Sequence, residues 1–386
     1  MFKKYDAYLV GYYGMRNSGD DALMYATAWA AKNILGYNNT KVGLYGDYTR
    51  EIPSEHLLSL KFNQKFSGQN RLLHYKTAIQ SKRIIFGGGS VLHSETDINL
   101  KRQLMSLANA KKSLAVGVGI GPFNSVAAEK SCAKFLNECG YVGVRDNASL
   151  AIAQSIAPKA NVHKTFDLGP LLLCSNKYKQ QRKQCNERKG IALTLCSVAI
   201  NAMGKTDNVE EEKRAKHFAQ LITKLHEKTG EPITLIEFNG HSALGDWKIN
   251  NNIVSRLSSK IPVTIKQYDP NPIALLENLS TYKAILSMRL HGSILGYLAN
   301  TPVLSVNYHS KCKGWCDEVG LPEDYQIDLV NLDIEKVISQ ITTGLTTNFK
   351  HPTLSVDTAL KNSLSNWSIN HEQTKFHSRY TALQQS

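Results

Sequence analysis

No apolar run in this chain approaches the ~20 residues that a membrane-spanning helix needs, although 42% of its 386 residues are hydrophobic. With 20% of residues charged, the chain reads as a globular protein long enough for two ordinary domains, and not as a disordered one. Cysteine is sparse and odd in number, at seven. Cys312 and Cys316 stand four apart with no second pair of ligand spacing nearby. That argues against a zinc cluster and a disulfide framework, and for reduced thiols. Helix-turn-helix, zinc-finger and RNP-type patterns are missing, so nucleic acid has no support as a partner. In the opening MFKKYDAYLVGYYG, Asp6 and Gly11 interrupt any signal-like apolar core, so the expected compartment is the cytoplasm. Acidic residues are the scarcer charge, 32 against 46 Lys and Arg, for a formal net charge of +14. That excess points to an anionic partner, either a phosphorylated substrate or an acidic membrane surface touched peripherally from the inner face.

What the chain does have is a steady alternation of short apolar runs with helical spacing, which predicts mostly parallel sheets with helices on both faces. Ala7 to Val10 reads as a strand. It runs into a glycine loop from Gly11 to Asp21, and a helix follows with Leu23, Ala26, Trp29 and Ala30 on one face. Ser18, Asp20 and Asp21 can cap that helix and complement its dipole. The loop lacks the Gly-Lys-Ser/Thr ending of a Walker A and a full dinucleotide fingerprint. Residues 50 to 80 read as helix and loop. Arg83 to Phe86 reads as a strand emptying into Gly87, Gly88, Gly89 and Ser90, with His93 just beyond. Three glycines there mark a close backbone approach, by a ligand or by another strand. Leu114 to Val118 and Tyr141 to Val144 are further strands, the second ending in Arg145 and Asp146, with Asn147 able to cap the next helix. Ser175 to Lys189 is basic and without apolar periodicity. It reads as a solvated linker, with contact to anionic lipid or polymer as the lesser alternative. The expected division is a first domain over 1–175, a linker over 176–189, a second domain over 190–345, and a helical tail over 346–386 that packs back across the domains.

The most informative stretch is Ala284 to Tyr308, AILSMRLHGSILGYLANTPVLSVNY. It reads as strand, helix, strand. Arg289 and His291 therefore fall where a strand becomes a helix, the edge at which open α/β sheets bind ligands. A helix start also offers free N–H groups and partial positive charge to a phosphate or carboxylate.

Five segments, taken in order, resemble the polysaccharide pyruvyltransferase family: GYYGMRNSGDDAL (11–23), IIFGGGSVLH (84–93), VGVGIGP (116–122), VGVRDNAS (142–149) and SMRLHGSILGYLANTPVLSVNY (287–308), the last continuing as KCKGWCDEVGL (311–321). The chain departs from the family's pattern at Ser90 and at Asp167-Leu168, and neither departure is expected to touch the charged residues of interest. The resemblance implies two Rossmann-like domains facing a cleft, in the manner of GT-B glycosyltransferases. It implies phosphoenolpyruvate as donor with no further cofactor, and a glycan or lipid-linked saccharide as acceptor. The product would be a pyruvate ketal, formed with release of phosphate, in cell-surface or exopolysaccharide biosynthesis. By the same resemblance Arg289, Leu290 and His291, with Arg145, hold the donor, and the glycine loop maps onto Gly14 to Asp21. Arginine suits both anionic groups of such a donor through paired N–H donors. Histidine titrates near neutrality and can move the proton. The candidate catalytic residues are thus His291 as general acid, with Asp20 or His93 as base. The candidate substrate contacts are Arg289, Leu290, Arg145, Gly14, Asn17, Gly88 and Gly89, and no metal is chemically required. The alternatives are a nucleotide-sugar glycosyltransferase on the same scaffold, or a non-catalytic protein that binds an anionic glycan. The first is disfavoured because no carboxylate stands between His291 and Asp317 to hold a ribose.

Overall fold

The computed structural model describes residues 3–46, 52–178, 188–198 and 207–367. Most of the basic stretch 176–189 therefore lies outside the described residues. The chain divides into two compact units. The first comprises Met1–Met15, Leu23–Leu172 and Asp357–Ser386, and the second comprises Arg16–Ala22 and Leu173–Val356.

In the first unit the order along the chain is β1 (Ala7–Val10), α1 (Ser18–Asn33), β2 (Thr40–Tyr45), β3 (His56–Leu60), α2 (Gln69–Ile79), β4 (Ile84–Leu92), α3 (Glu95–Ala108), β5 (Leu114–Ile120), α4 (Val126–Glu138), β6 (Tyr141–Val144), α5 (Asn147–Ile156) and β7 (Val162–Lys164). All seven strands are parallel in the order β3-β2-β1-β4-β5-β6-β7. The sense of progression reverses between β1 and β4, as in a Rossmann fold. A parallel sheet covered on both faces should read as continuous apolar runs, and every residue of β1, β5 and β6 is buried. Phe86 of β4 meets Phe135 of α4 edge to face, ring centroids 5.4 Å apart.

The second unit repeats the plan with β8 (Ile191–Thr194), α6 (Asn208–Thr229), β9 (Ile233–Ile236), α7 (Trp247–Val254), β10 (Val263–Lys266), α8 (Pro272–Ser280), β11 (Ala284–Ser287), α9 (Leu290–Leu298), β12 (Val303–Asn307), α10 (Ser310–Val319), β13 (Gln326–Asp328) and α11 (Ile334–Thr347). Its six strands are parallel in the order β10-β9-β8-β11-β12-β13, so β8 and β11 flank its switch point. Local chemistry explains the helix ends. Asp207 caps α6 by accepting from Val209 N and Glu210 N. Asn271 caps α8 ahead of Pro272 in the first turn. After α11, helix α12 (Val356–Leu364) leads into the buried Asn366. The Asn366 side chain accepts from Gly117 N and Thr165 Oγ1 and donates to Phe166 O, all within the first unit.

The structure corrects the sequence reading at several points. Residues 50 to 80 contain a strand, β3, which lies at the edge of the sheet and is only partly buried. Strand β4 does not end at Phe86 but continues through the glycines to Leu92. The close approach these glycines permit is made by a helix. Gly88, at φ 68°, would set a Cβ 2.8 Å from Leu23 of α1. Strand β5 does not end at Val118 but runs to Ile120. Helix α5 is capped by Asp146, whose side chain accepts from Ser149 N, and not by Asn147.

Candidate functional site

The switch point of the second unit is built from small hydroxylated residues. Thr194 ends β8 and Ser287 ends β11, and their side-chain oxygens are 2.7 Å apart in a buried hydrogen bond. Thr194 O accepts from Met288 N at 2.9 Å, and Ser287 Oγ donates to Arg289 O at 2.8 Å. A Cβ on Gly292 would lie 2.5 Å from both hydroxyls, so only glycine lets the first turn of α9 sit this close to the strands. These contacts hold the backbone of Arg289 at the N-cap of α9, with φ −74° and ψ 125°. The start of α9 at Leu290 places His291 in the first turn.

Arg289 is gripped by a residue 43 positions earlier in the chain, Asp246. Asp246 precedes α7 but makes no side-chain cap there. Its carboxylate turns the other way, taking Arg289 Nε at 3.2 Å on Oδ2 and Nη2 on Oδ1. Oδ2 also accepts from Phe238 N at 3.0 Å and Asn239 N at 2.9 Å. Asp246 is 1% exposed. Burial pushes its carboxyl above the usual range, while Arg289 and the two amides pull it back. The pair commits two of the five guanidinium N–H donors to orientation.

The residues before α1 and its first turn, Arg16 to Ala22, belong to this same unit. Asn17 pairs with Asn239 as an antiparallel bridge, with Ser18 N bonded to Phe238 O at 2.8 Å and Gly240 N to Arg16 O at 2.8 Å. The segment after β9 that Asp246 stabilises is therefore the segment that anchors the start of α1. The Asn17 side chain accepts from Gly19 N at 3.1 Å, which caps the helix. Gly19 then packs on the imidazole, where a Cβ would stand 2.3 Å from His291 Nδ1. Asp20 is half-buried on the next position. Asp21, read from sequence as a cap, is fully buried and accepts a short hydrogen bond from Tyr268 OH. Burial pushes the Asp21 carboxyl up to about 8, with Tyr268 opposing and Asp20 adding to the rise. At neutral pH it is therefore mostly protonated. Arg16 lies 5.8 Å over the Tyr268 ring.

The candidates thus fall into two groups. Arg289, His291, Asn17 and Asp20 lie together in the second unit, with Leu290 largely buried beside them at the start of α9. Gly14, Gly88, Gly89, His93 and Arg145 lie in the first unit. There Gly14 lies against the backbone of Tyr45, and the exposed His93 hydrogen-bonds Ser90 O at 3.0 Å through Nδ1. Arg145 is buried. It donates to Ser90 Oγ at 3.1 Å and pairs with Asp146 at 3.4 Å and Asp167 at 3.7 Å. The departure at Ser90 therefore touches Arg145, contrary to expectation.

Asp246 and Tyr268 are the residues the sequence reading missed. Each is distant in sequence from its partner, and no local pattern joins them. One strand over from β11, at the C-terminal ends of β12 and β13, lies a cavity of about 550 Å³ lined by Tyr308, His309, Lys313, Gln326 and Asp328 among others. Cys132, Cys139, Cys174, Cys196, Cys312 and Cys316 are buried thiols. No described helix is long and apolar enough to cross a membrane.

Solved structures with this fold include UDP-GlcNAc 2-epimerase from Neisseria meningitidis bound to UDP-GlcNAc, with TM-score 0.58 at 13% identity over 94% of this chain and 99% of that one. A putative UDP-N-acetylglucosamine 2-epimerase from Listeria monocytogenes matches with TM-score 0.60 at 9% identity over 92% of this chain and 93% of that one. HepE from Anabaena, in complex with UDP and glucose, matches with TM-score 0.56 at 12% identity over 97% and 99%. At such identities the likeness establishes the fold, two parallel-sheet α/β domains of the GT-B type. Residues 17–310, which run from Asn17 past Arg289 and His291 to the first turn of α10, match the polysaccharide pyruvyl transferase family model, and the chain belongs to that family.

Proposed function

We propose that the protein transfers pyruvate from phosphoenolpyruvate to a pair of hydroxyls on a glycan or lipid-linked saccharide, as a ketal, with release of phosphate. The observation that carries this reading, beside family membership, is the Arg289 fork held by Asp246 at the start of α9, next to His291. A donor with a carboxylate and a phosphate needs fixed, oriented positive charge in a site where water does not compete. The remaining Arg289 donors and the amides of the first turn of α9 supply it.

In the reaction one acceptor hydroxyl adds to C2 of the enol while a proton is delivered to the C3 methylene, which becomes the methyl group. The hydroxyl proton passes to a base. The C2–O bond to phosphate then breaks, inorganic phosphate leaves, and the second hydroxyl adds to C2 to close the ketal, its proton passing to the departing phosphate. His291, held against Gly19, is the acid in this scheme, and Asp20, in the same unit, is the candidate base. Phosphate release from phosphoenolpyruvate across a panel of saccharide acceptors, with mass spectrometry of the product, tests the reading. Release without a pyruvate ketal on any acceptor, or no release at all, would refute it. His291→Gln keeps a hydrogen bond but removes proton transfer, so turnover should fall by about 10²–10⁴-fold. A near-parental rate from a folded variant would remove His291 from the role of acid.

A further inference from the structure

Between Glu55 and Glu95 the chain carries no acidic residue over positions 56–94, while Lys61, Lys65, Arg71, Lys76, Lys82 and Arg83 are all basic. Two of these six lie beyond α2, Lys82 pairing with Asp6 and Arg83 sitting over the Tyr37 ring. The other four lie on the loop that leaves the C-terminal end of β3 and on α2, and all four are exposed. The same short segment holds three of the large hydrophobic side chains that the fold leaves outside: Phe62 at 54% exposed, Phe66 at 53% and Leu72 at 59%. Single exposed apolar residues are ordinary. Three within one loop and helix start, interleaved with cations and no anion, call for an explanation.

The loop is not loose chain that happens to point outward. Buried Asn70 clamps its start, accepting from Lys61 N at 2.9 Å and donating to Lys61 O at 2.8 Å. Gln69 Oε1 accepts from Lys65 N at 2.7 Å, and Gln64 Oε1 from Asn70 N at 3.2 Å. Phe62 rests its ring 5.7 Å from that of Tyr45, yet more than half of it stays outside. Pinned at these points, the loop presents Lys-Phe twice, four residues apart, as Lys61-Phe62 and Lys65-Phe66. Aromatic rings at the headgroup level, with lysines reaching lipid phosphates, are the side-chain chemistry of a bilayer interface.

We infer that the segment from Lys61 to Lys76 docks the protein onto an anionic bilayer surface, with Phe62 and Phe66 entering the interface and Lys61, Lys65, Arg71 and Lys76 contacting the headgroups. This assigns the membrane contact to the first unit and not to the basic stretch 176–189. The inference is independent of which donor the protein uses, because it is read by binding and not by turnover. It would bring the enzyme to acceptors held on lipid.

Co-sedimentation of the full chain with phosphatidylcholine vesicles, with and without phosphatidylglycerol, tests it. Binding should require the anionic lipid and weaken as salt rises. Phe62→Ser with Phe66→Ser should reduce binding at least about tenfold, since half-exposed rings that enter a membrane lose that burial when replaced. Lys61→Gln and Lys65→Gln should each reduce it about fivefold. Because these side chains are exposed, the variants should melt with the parent. Equal binding to both vesicle types, phenylalanine variants that bind like the parent, or a loss seen only when the lysines and arginines of 179–189 are replaced, would each overturn the assignment. Absence of binding to either vesicle would do so too, and would point to a protein partner for the patch.

Discussion

Replacing Asp246 by Asn keeps the shape of the side chain and removes its charge, and the structure sets out what is lost. The carboxylate accepts from two backbone amides at 3.0 and 2.9 Å and from two nitrogens of Arg289, in a position 1% exposed. Breaking a buried pair by removing one partner costs about 3–5 kcal/mol, because the other charge is left uncompensated. Two effects reduce that figure here. The Asn oxygen can still serve the amides, and the burial that raises the Asp246 pKa no longer penalises a charge. The expected loss is about 2–3 kcal/mol, which in a unit of this size lowers the melting temperature by roughly 4–12 °C. The guanidinium also loses the partner that fixes its plane, so the KM for phosphoenolpyruvate should rise more than kcat falls. Thermal denaturation of Asp246→Asn, Arg289→Met and the double variant gives the coupling between them, expected above about 1 kcal/mol. Additive effects, or an Asp246→Asn protein with parental stability and KM, would refute the view that Asp246 orients Arg289.

Gly19→Ala faces no backbone penalty, since Gly19 has no positive φ, but its Cβ would stand 2.3 Å from His291 Nδ1. The imidazole must move, and a displacement of that order should cost about 10²-fold in turnover while the protein stays folded. Parental turnover would show that the position of His291 does not matter. The Asp21 carboxyl is raised to about 8 in the folded protein from 3.8. Its folded form therefore holds a proton that the unfolded form has lost, so its contribution to stability falls as pH rises from about 4 to about 8 and is level above that. Asp21→Asn should flatten this slope by up to about 1.4 kcal/mol per pH unit, as measured by urea denaturation between these limits. An unchanged slope would mean that Asp21 is already ionised. Asn366→Ala strips partners from buried Gly117 N, Thr165 Oγ1 and Phe166 O, and should destabilise the first unit by about 2–4 kcal/mol in a denaturant titration. A loss under ~0.5 kcal/mol would show that the segment after Val356 does not support that unit.

Composition and local pattern were enough to determine the fold class. Apolar runs such as YVGV of β6 and AILS of β11 are buried along their whole length because a parallel sheet hides both faces, so their pattern is readable without any partner. The strand-to-helix junction at Arg289 was legible for the same reason, because a break in periodicity is a local signal. The partnerships of the site were not legible. Asp246 reaches Arg289 across 43 positions and Tyr268 reaches Asp21 across 247, and neither separation leaves any trace in the residues between. An aspartate before a helix looks like a cap, and Asp246 has the right position for one. Only the packing of α7 and α9 against neighbouring strand ends turned its carboxylate toward the arginine. The glycines of β4 show the same limit. Sequence announced that something comes close at Gly88, but what comes close is Leu23, carried there by helix α1. Local chemistry determines where a chain must turn, cap or be buried, whereas the choice among distant partners depends on which elements the tertiary fold brings side by side.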